Sequence, residues 1–309
     1  MELLYALEGI RMPVLDAIMS VVTELGGETV YMAIAIIAFW CVSKGLGYYI
    51  LTVGFAGTVL NQFLKITCRI PRPWVQDPEF TIVESAREAA TGYSFPSGHT
   101  QNAFASFGCL GMWSRRAAWR IVCAVVIALI ALSRMYLGVH TPLDVGVSLA
   151  LGLVLTIALW PVFRDIEQHP RRMYVSLAIL LALTAAYIAY TELYPFPADT
   201  DAANLASARE NGWKLFGAGF AMLCGFALDQ RYIRFEVKAP IAGQVLKCVL
   251  GLALTMAIRA GLKAPLYALL GESGGADAVR YFITVLFAAA VWPLTFKYFA
   301  RLGAKSKCK

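Results

Sequence analysis

Long apolar runs alternate with short polar segments along the whole of this 309-residue chain. Most of the runs lack the polar face that a helix in a soluble core carries, which argues against a large soluble α-helical domain. The pattern therefore predicts an all-α, polytopic bundle of membrane helices. We expect nine spans, at about 30–42, 46–64, 98–113, 121–132, 142–163, 173–190, 213–228, 241–262 and 281–299.

The N-terminal segment has a different pattern. Over residues 3–24 apolar residues recur every three or four positions, with charged residues between them. This is typical of an amphipathic helix at the membrane interface, here interrupted near Pro13. We accordingly divide the chain into an amphipathic segment 1–28, a core 29–165 and a C-terminal region of four spans, 166–309.

Charge gives the predicted bundle an orientation. The chain is 59% hydrophobic and 15% charged, with a net charge of +7. Such a charge would suggest nucleic acid in a soluble protein, but here the basic residues concentrate on alternate loops, so we expect no nucleic-acid partner. These loops and the basic tail are then cytoplasmic, while the polar stretches 65–99 and 134–144 face outward. The cytoplasmic set is Lys44, Arg115, Arg116, Arg120, Arg164, Arg171, Arg172, Arg231, Arg234, Lys238, Arg301, Lys305, Lys307 and Lys309.

The first outward stretch places Lys65 at a span end and Arg72 seven residues later. Pro71 and Pro73 prevent helix formation and hold Arg72 in extended chain. The simpler interpretation is that both cations extend to the membrane interface.

The second stretch is Ser94 to His99, S-F-P-S-G-H. Ser97 is a natural N-cap for the third span, and Gly98 lets a ligand approach the backbone closely. Free N–H groups at a helix start attract anions, and His99 stands on that first turn. The alternative is a capped helix with an incidental histidine.

The third stretch, Ser133 to Asp144, adds an arginine, a histidine and a carboxylate. Thr141 and Pro142 predict a helix start, with Asp144 at the capping-box position. Asp144 can also hydrogen-bond one ring nitrogen of His140, which fixes the tautomer and leaves the other nitrogen free to attack.

Together the stretches hold three cations, a helix N-terminus, two histidines and one carboxylate. Such a set suits a dianionic phosphate: one histidine attacks phosphorus and the other protonates the leaving oxygen. No carboxylate cluster for Mg²⁺ accompanies them, and three cations can neutralise the charge of the transition state. We therefore expect phosphoryl transfer through a phosphohistidine, with no metal or other cofactor.

The three stretches resemble the signature of the type 2 phosphatidic acid phosphatase superfamily over about residues 46–163. The matching positions are Lys65-x6-Arg72-Pro73, Pro96-Ser97-Gly98-His99 and Ser133-Arg134-x3-Gly138-x-His140-x3-Asp144. This superfamily contains lipid phosphate phosphatases, undecaprenyl pyrophosphate and phosphatidylglycerophosphate phosphatases, glucose-6-phosphatases and vanadium haloperoxidases. The resemblance implies a helical phosphatase/haloperoxidase-like core.

The resemblance also implies roles. His140 becomes the nucleophile, Asp144 its orienting carboxylate and His99 the general acid. The phosphate would be bound by Lys65, Arg72, Ser97, Gly98 and Arg134. Arg69 is an extra cation beside the site, either for a second phosphate or, as we prefer, as an anchor of the helix end.

The leading hypothesis is a plasma-membrane phosphatase acting on the outer face on a lipid phosphate or diphosphate. Undecaprenyl pyrophosphate, phosphatidylglycerophosphate and phosphatidic acid all fit chemically. A phosphotransferase with a hydroxyl acceptor is the main alternative, and a non-catalytic lipid carrier is a weaker one. We do not expect a haloperoxidase, because peroxide chemistry on a small halide gives no reason for nine membrane spans. The C-terminal spans are open to three roles: a lipid groove, a homodimer interface or a regulator site.

Overall fold

The computed structural model describes residues 1–302, and every regular element in that range is a helix. The tail residues Lys305, Lys307 and Lys309 lie outside the described residues. The helices are α1 Glu2–Glu8, α2 Pro13–Glu24, α3 Glu28–Ile37, α4 Lys44–Cys68, α5 Pro73–Gln76, α6 Gly98–Ala103, α7 Cys109–Trp113, α8 Ala117–Tyr136, α9 Pro142–Phe163, α10 Pro170–Leu193, α11 Ala202–Leu228, α12 Ile241–Gly261, α13 Lys263–Leu270, α14 Gly274–Leu286 and α15 Phe296–Phe299.

Within residues 1–302, six helical stretches are long and apolar enough to cross a membrane, and a pair bent by 45°, Pro13–Glu24 with Glu28–Val42, would make a seventh. The chain is therefore a multi-pass helical membrane protein, but the expected count of nine spans is not confirmed. The six are Lys44–Gln76, Ala117–Tyr136, Pro142–Phe163, Pro170–Leu193, Ile241–Leu270 and Gly274–Phe299.

Two of the expected spans are helical but fall outside this set. The helical run 98–113 consists of segments of 6, 5 and 5 residues, about 24 Å in length, whereas a bilayer core is roughly 30 Å thick. The stretch 213–228 is the second half of α11, whose first half carries polar residues such as Arg209 and Glu210.

The N-terminal segment forms two helices that meet just before Pro13. Pro13 is the first residue of α2, where its missing N–H costs nothing. Val14 and Ile18 on this helix are 69% and 51% exposed. The position of the segment at a membrane interface stays a prediction.

The first of two compact units consists of residues 1–35, 49–164 and 195–208. In it α6 packs against α8 and α9, and α2 packs against α8. Buried Ala103, Ile127 and Ile130 form the apolar contact between α6 and α8. This packing brings the start of α6, the end of α8 and the start of α9 to the same place.

The second unit consists of residues 36–48, 165–194 and 209 onward. Its core is aromatic, with the rings of Trp40 and Phe296 crossing edge to face at 6.1 Å. The Trp40 indole donates to the Ala288 carbonyl at 2.9 Å. Lys247 is fully buried in α12 and donates to the Val237 carbonyl at 2.9 Å, which satisfies its ammonium within the unit.

Candidate active site

Arg72 lies on extended chain just beyond the end of α4, as its flanking prolines predict. Its backbone angles are φ −67° and ψ 155°, and Pro73 begins the short helix α5 directly after it. Helix α4 continues to Cys68, one turn past the predicted end of the span. The proline pair therefore fixes the point at which the Arg72 side chain leaves the backbone.

The Arg72 side chain is buried, and each of its three nitrogens has a hydrogen-bond partner. Its Nε donates to the Gly92 carbonyl at 3.0 Å and its Nη2 to the Thr91 carbonyl at 2.7 Å. Its Nη1 donates to the Val139 carbonyl at 2.8 Å and lies 3.0 Å from Nε2 of His140. One guanidinium thus connects the first polar stretch to the third, through side chain and backbone.

Lys65 stands in the last turn of α4 and donates to the Tyr93 carbonyl at 2.8 Å. One turn earlier the Asn61 amide donates to the Pro96 carbonyl at 3.3 Å. Helix α4 is therefore tied to the loop that precedes α6. Two of the three predicted phosphate-binding cations, Lys65 and Arg72, bind backbone carbonyls of residues 91–93, where a phosphate would offer them equivalent oxygens.

Ser97 caps α6 as predicted. Its hydroxyl accepts from the Thr100 N–H at 3.4 Å and from the Thr100 hydroxyl at 3.0 Å. The Ser97 N–H donates to the Asp144 carbonyl at 3.2 Å, which fixes the second stretch against the third. Nothing lies within 4 Å of the position that a Gly98 Cβ would take, so the backbone there is open to a ligand.

Arg134 lies in the last turn of α8 and is 2% exposed. Its Nη1 donates to the hydroxyl of Thr23 on α2 at 2.7 Å. Its Nε is buried and has no hydrogen-bond partner within residues 1–302, so this donor stays available. Beyond α8 the chain turns at Gly138 with φ +81°, a left-handed conformation that favours glycine.

The start of α9 forms the predicted capping box. The Asp144 N–H donates to the Thr141 hydroxyl at 3.2 Å, and Asp144 Oδ2 accepts from the Thr141 N–H at 2.8 Å. The same Oδ2 lies 3.4 Å from Nδ1 of His140 and accepts from the Ser94 hydroxyl at 2.5 Å. One buried carboxylate oxygen therefore both caps a helix and faces the histidine.

The geometry fixes the tautomer of His140. A guanidinium donates hydrogen bonds only, so Nε2 beside Arg72 is the unprotonated nitrogen and Nδ1–H faces Asp144. Burial, followed by the positive charges of Arg72, Arg134 and Lys65, lowers the pKa of His140 well below its usual range. The imidazole is therefore neutral, with its Nε2 lone pair beside the phosphate-binding cation.

His99 completes the set that the sequence predicts. Burial, followed by the positive charges of Arg134, Arg72 and Lys65, lowers the pKa of His99 to about 3. All eight predicted site residues belong to the first compact unit. Among residues 1–302 no group of three or more histidine, cysteine, aspartate or glutamate side chains is arranged to hold a metal ion.

Sequence reasoning did not assign roles to two residues that the structure places at the site. Ser94 contacts both Asp144 and, at 3.4 Å, Nδ1 of His140. Thr23 supports Arg134 from the N-terminal segment. Ser94 belongs to the polar stretch before α6 but has no distinctive spacing, and Thr23 is 111 residues from its partner, so no local pattern indicates either role.

Comparison with known proteins identifies the family. Residues 45–168 match the PAP2 superfamily, and residues 213–306 match the PAP2 superfamily phosphatase, transmembrane extension. Undecaprenyl-diphosphatase of Bacillus subtilis is 32% identical over 146 residues, which are 46% of this chain and 72% of that protein. The chain belongs to the PAP2 superfamily. The expected family is confirmed, and the matched residues include the stretch 46–163 that carries the signature.

Other relatives of this PAP2 protein are also lipid phosphatases. Phosphatidylglycerophosphatase B of Bacillus subtilis is 26% identical over 163 residues, 47% of this chain and 74% of that protein. Dihydrosphingosine 1-phosphate phosphatase of Schizosaccharomyces pombe is 30% identical over 199 residues, 59% of this chain and 47% of that protein. No solved structure gives a significant match. The C-terminal region is thus a recognised PAP2 extension, which the motif alone did not indicate.

Proposed function

We propose that this PAP2 protein hydrolyses the phosphate or diphosphate of a membrane lipid through a phosphohistidine on His140. The observation that carries the proposal is the 3.0 Å contact between the Arg72 guanidinium and the unprotonated Nε2 of His140. A phosphate bound by Arg72 would place phosphorus next to the Nε2 lone pair of His140, and the Asp144 carboxylate orients that imidazole ring from its Nδ1 side.

The site residues account for each step. Lys65, Arg72 and Arg134 bind the phosphate oxygens, helped by Ser97 and the Gly98 backbone, and balance the transition-state charge without a metal. Nε2 of His140 bonds to phosphorus while the bond from phosphorus to the lipid oxygen breaks. His99 is neutral before the phosphate binds, because burial and the cations lower its pKa. It takes up a proton when the phosphate dianion binds beside it and gives that proton to the leaving oxygen. Neutral His99 then takes a proton from water, whose oxygen attacks phosphorus. The nitrogen–phosphorus bond breaks and phosphate leaves.

The substrate class follows from chemistry and from the relatives. Undecaprenyl pyrophosphate, phosphatidylglycerophosphate and phosphatidic acid each combine a terminal phosphate with a lipid tail that stays in the bilayer. One relative is named for a lipid diphosphate and two for phosphomonoesters, which supports the wider class. The charge pattern supports an active site on the outer face of the plasma membrane and a cytoplasmic C-terminus.

Phosphate release from a panel of these lipids, with a metal chelator present, tests the proposal. The full-length protein should keep its activity in chelator, and His140→Ala should lose it. His169→Ala is the matched control, because His169 precedes α10 as its N-cap in the second unit, and its loss should leave activity unchanged. Strict dependence on added Mg²⁺, or full activity of His140→Ala, would contradict the mechanism.

A further inference from the structure

Four cations lie against two tyrosine rings near the place where α12, α13 and α14 meet in the second unit. One of them, Lys214, lies 5.9 Å from the Tyr281 ring and is already paired with Glu210. The guanidinium groups of Arg259 and Arg280 lie 5.5 and 5.3 Å from the ring centroid of Tyr281. Lys263 and Arg280 lie 5.6 and 5.7 Å from the ring of Tyr267. Positive charges tolerate this proximity because each lies against an aromatic face.

Two acidic groups beside the cluster, Asp277 and Glu210, neutralise only part of its charge, and Glu210 pairs with Lys214. Asp277 accepts from Arg280 at 2.7 Å and from the Tyr267 hydroxyl at 3.1 Å, so it balances one charge. Arg259 donates to the uncharged Tyr281 hydroxyl at 3.1 Å. Within residues 1–302 neither Arg259 nor Lys263 forms an ion pair, and the buried Nε of Arg280, a side chain 6% exposed, has no partner. Two positive charges and one buried donor remain for a ligand.

An apolar groove begins beside these cations. It lies between α12 and α14, with a volume of about 410 Å³, and its lining is entirely apolar. That volume falls within the roughly 300–1,000 Å³ typical of ligand pockets. Ile258 and Leu262 line it next in sequence to Arg259 and Lys263, and Ile283 lines it one turn beyond Arg280. Arg259, Lys263 and Arg280 therefore lie on the same or the next helical turn as these groove-lining residues.

We propose that the groove and these cations form a binding site for an anionic membrane lipid. One acyl chain lies in the groove and the headgroup phosphate meets Arg259, Lys263 and Arg280. The unneutralised cations at one end select the headgroup, because a zwitterionic lipid brings a positive charge of its own, whereas an anionic lipid does not. The residues of this lipid site belong to the second unit, whereas all eight predicted phosphatase residues belong to the first.

The groove can be filled without disturbing the protein. Gly261 lines it, and nothing lies within 4 Å of the position that its Cβ would take. Gly261→Leu therefore adds a side chain where the acyl chain would lie. For the headgroup, the test variant is Arg259→Gln with Lys263→Gln. Arg231→Gln is the matched control, because that exposed guanidinium also lies on a tyrosine ring, 5.4 Å from Tyr232.

Native mass spectrometry of the full-length protein tests the proposal, with phosphatidylglycerol or phosphatidylcholine as the probe. Phosphatidylglycerol carries only a phosphodiester, so the proposed phosphatase reaction does not consume it. Wild-type protein and the Arg231→Gln control should retain one phosphatidylglycerol more tightly than phosphatidylcholine. The double charge variant should weaken this binding about 25-fold, since each basic residue near an anionic lipid contributes about a fivefold factor. Gly261→Leu should weaken the binding of both lipids.

Three results would overturn the proposal. The double variant could bind phosphatidylglycerol as tightly as the control does, or wild-type protein could bind the two lipids equally. The groove could instead hold a second copy of the chain, so that Gly261→Leu abolishes a dimer and leaves lipid binding unchanged. Phosphate release from a lipid phosphate should be intact in the double variant, so a failure of this proposal is distinguishable from a failure of the phosphatase mechanism.

Discussion

The guanidinium of Arg72 donates to Nε2 of His140 across 3.0 Å. This contact places a phosphate-binding cation and the proposed nucleophile side by side, and it identifies the nitrogen that carries the lone pair. On the opposite edge of the ring, Nδ1 faces the Asp144 carboxylate at 3.4 Å. The imidazole is thus held between a cation and an anion, which fixes its tautomer as well as its position.

Replacement of Asp144 should impair the chemical step. Asp144→Asn removes the charge that stabilises an Nδ1–H imidazole, so we expect kcat to fall about 10²- to 10⁴-fold. Ser94→Ala removes the hydrogen bond that holds the carboxylate and should cost about tenfold. Steady-state hydrolysis of a lipid phosphate measures both. An unchanged kcat in Asp144→Asn, with folding confirmed by thermal unfolding, would leave Asp144 as a helix cap only.

The lowered pKa of His140 should be visible in titration and in stability. Its ring should stay neutral at pH values where an ordinary histidine, with a pKa of about 6.5, takes up a proton. Below that pH the unfolded chain binds a proton that the folded protein does not, so His140 makes the free energy of unfolding fall as pH is lowered. NMR of labelled histidines, assigned with His140→Ala, tests the first point. A His140 that titrates at its ordinary pH would contradict both.

Thr23 should matter through Arg134. Its hydroxyl accepts from the Arg134 guanidinium at 2.7 Å, and both side chains are buried. Thr23→Val should raise KM about tenfold, with a smaller effect on kcat, because a charged buried hydrogen bond is lost. Thr23→Ser should restore KM. Ser20→Ala is the control, since that hydroxyl contacts only exposed Ser85. Equal losses in Thr23→Val and Ser20→Ala would indicate a general effect on α2.

Arg69 should behave as an anchor and not as a binder of a second phosphate. Its Nη1 donates to the Thr200 hydroxyl at 2.9 Å and lies 3.4 Å from the Asp199 carboxylate. Because these groups are partly exposed, Arg69→Gln should change activity less than about fivefold, and equally for lipid mono- and diphosphates. Thr200→Val should change activity by about as much as Arg69→Gln does. A selective loss of diphosphate hydrolysis in Arg69→Gln alone would assign it to the second phosphate.

The sequence predicts the helix starts around the candidate site more accurately than the number of spans. Ser97, Thr141 and Pro142 mark helix starts by local rules, and the structure has both helices beginning as expected. The proline pair around Arg72 likewise acts on neighbouring residues only. Such signals are local, so they can be interpreted without a fold.

Two contacts at the candidate site could not be predicted from the sequence, because their partners lie far apart along the chain. Ser94 reaches Asp144 over 50 residues and Thr23 reaches Arg134 over 111, and neither pair has a periodic signature. The span count of nine is not confirmed, for a different reason. Apolar character alone does not distinguish a full crossing from the short helical run 98–113 or from the apolar half of α11.

The residue that carries the covalent phosphoryl intermediate, His140 in the proposed mechanism, can be identified directly. The full-length protein is mixed with a radiolabelled lipid phosphate, quenched in base within one turnover and digested with trypsin. Cleavage after Arg115 and Arg134 places His99 and His140 in different peptides. We expect label on the His140 peptide and none in His140→Ala. Label on the His99 peptide, or lipid turnover by His140→Ala, would contradict the mechanism.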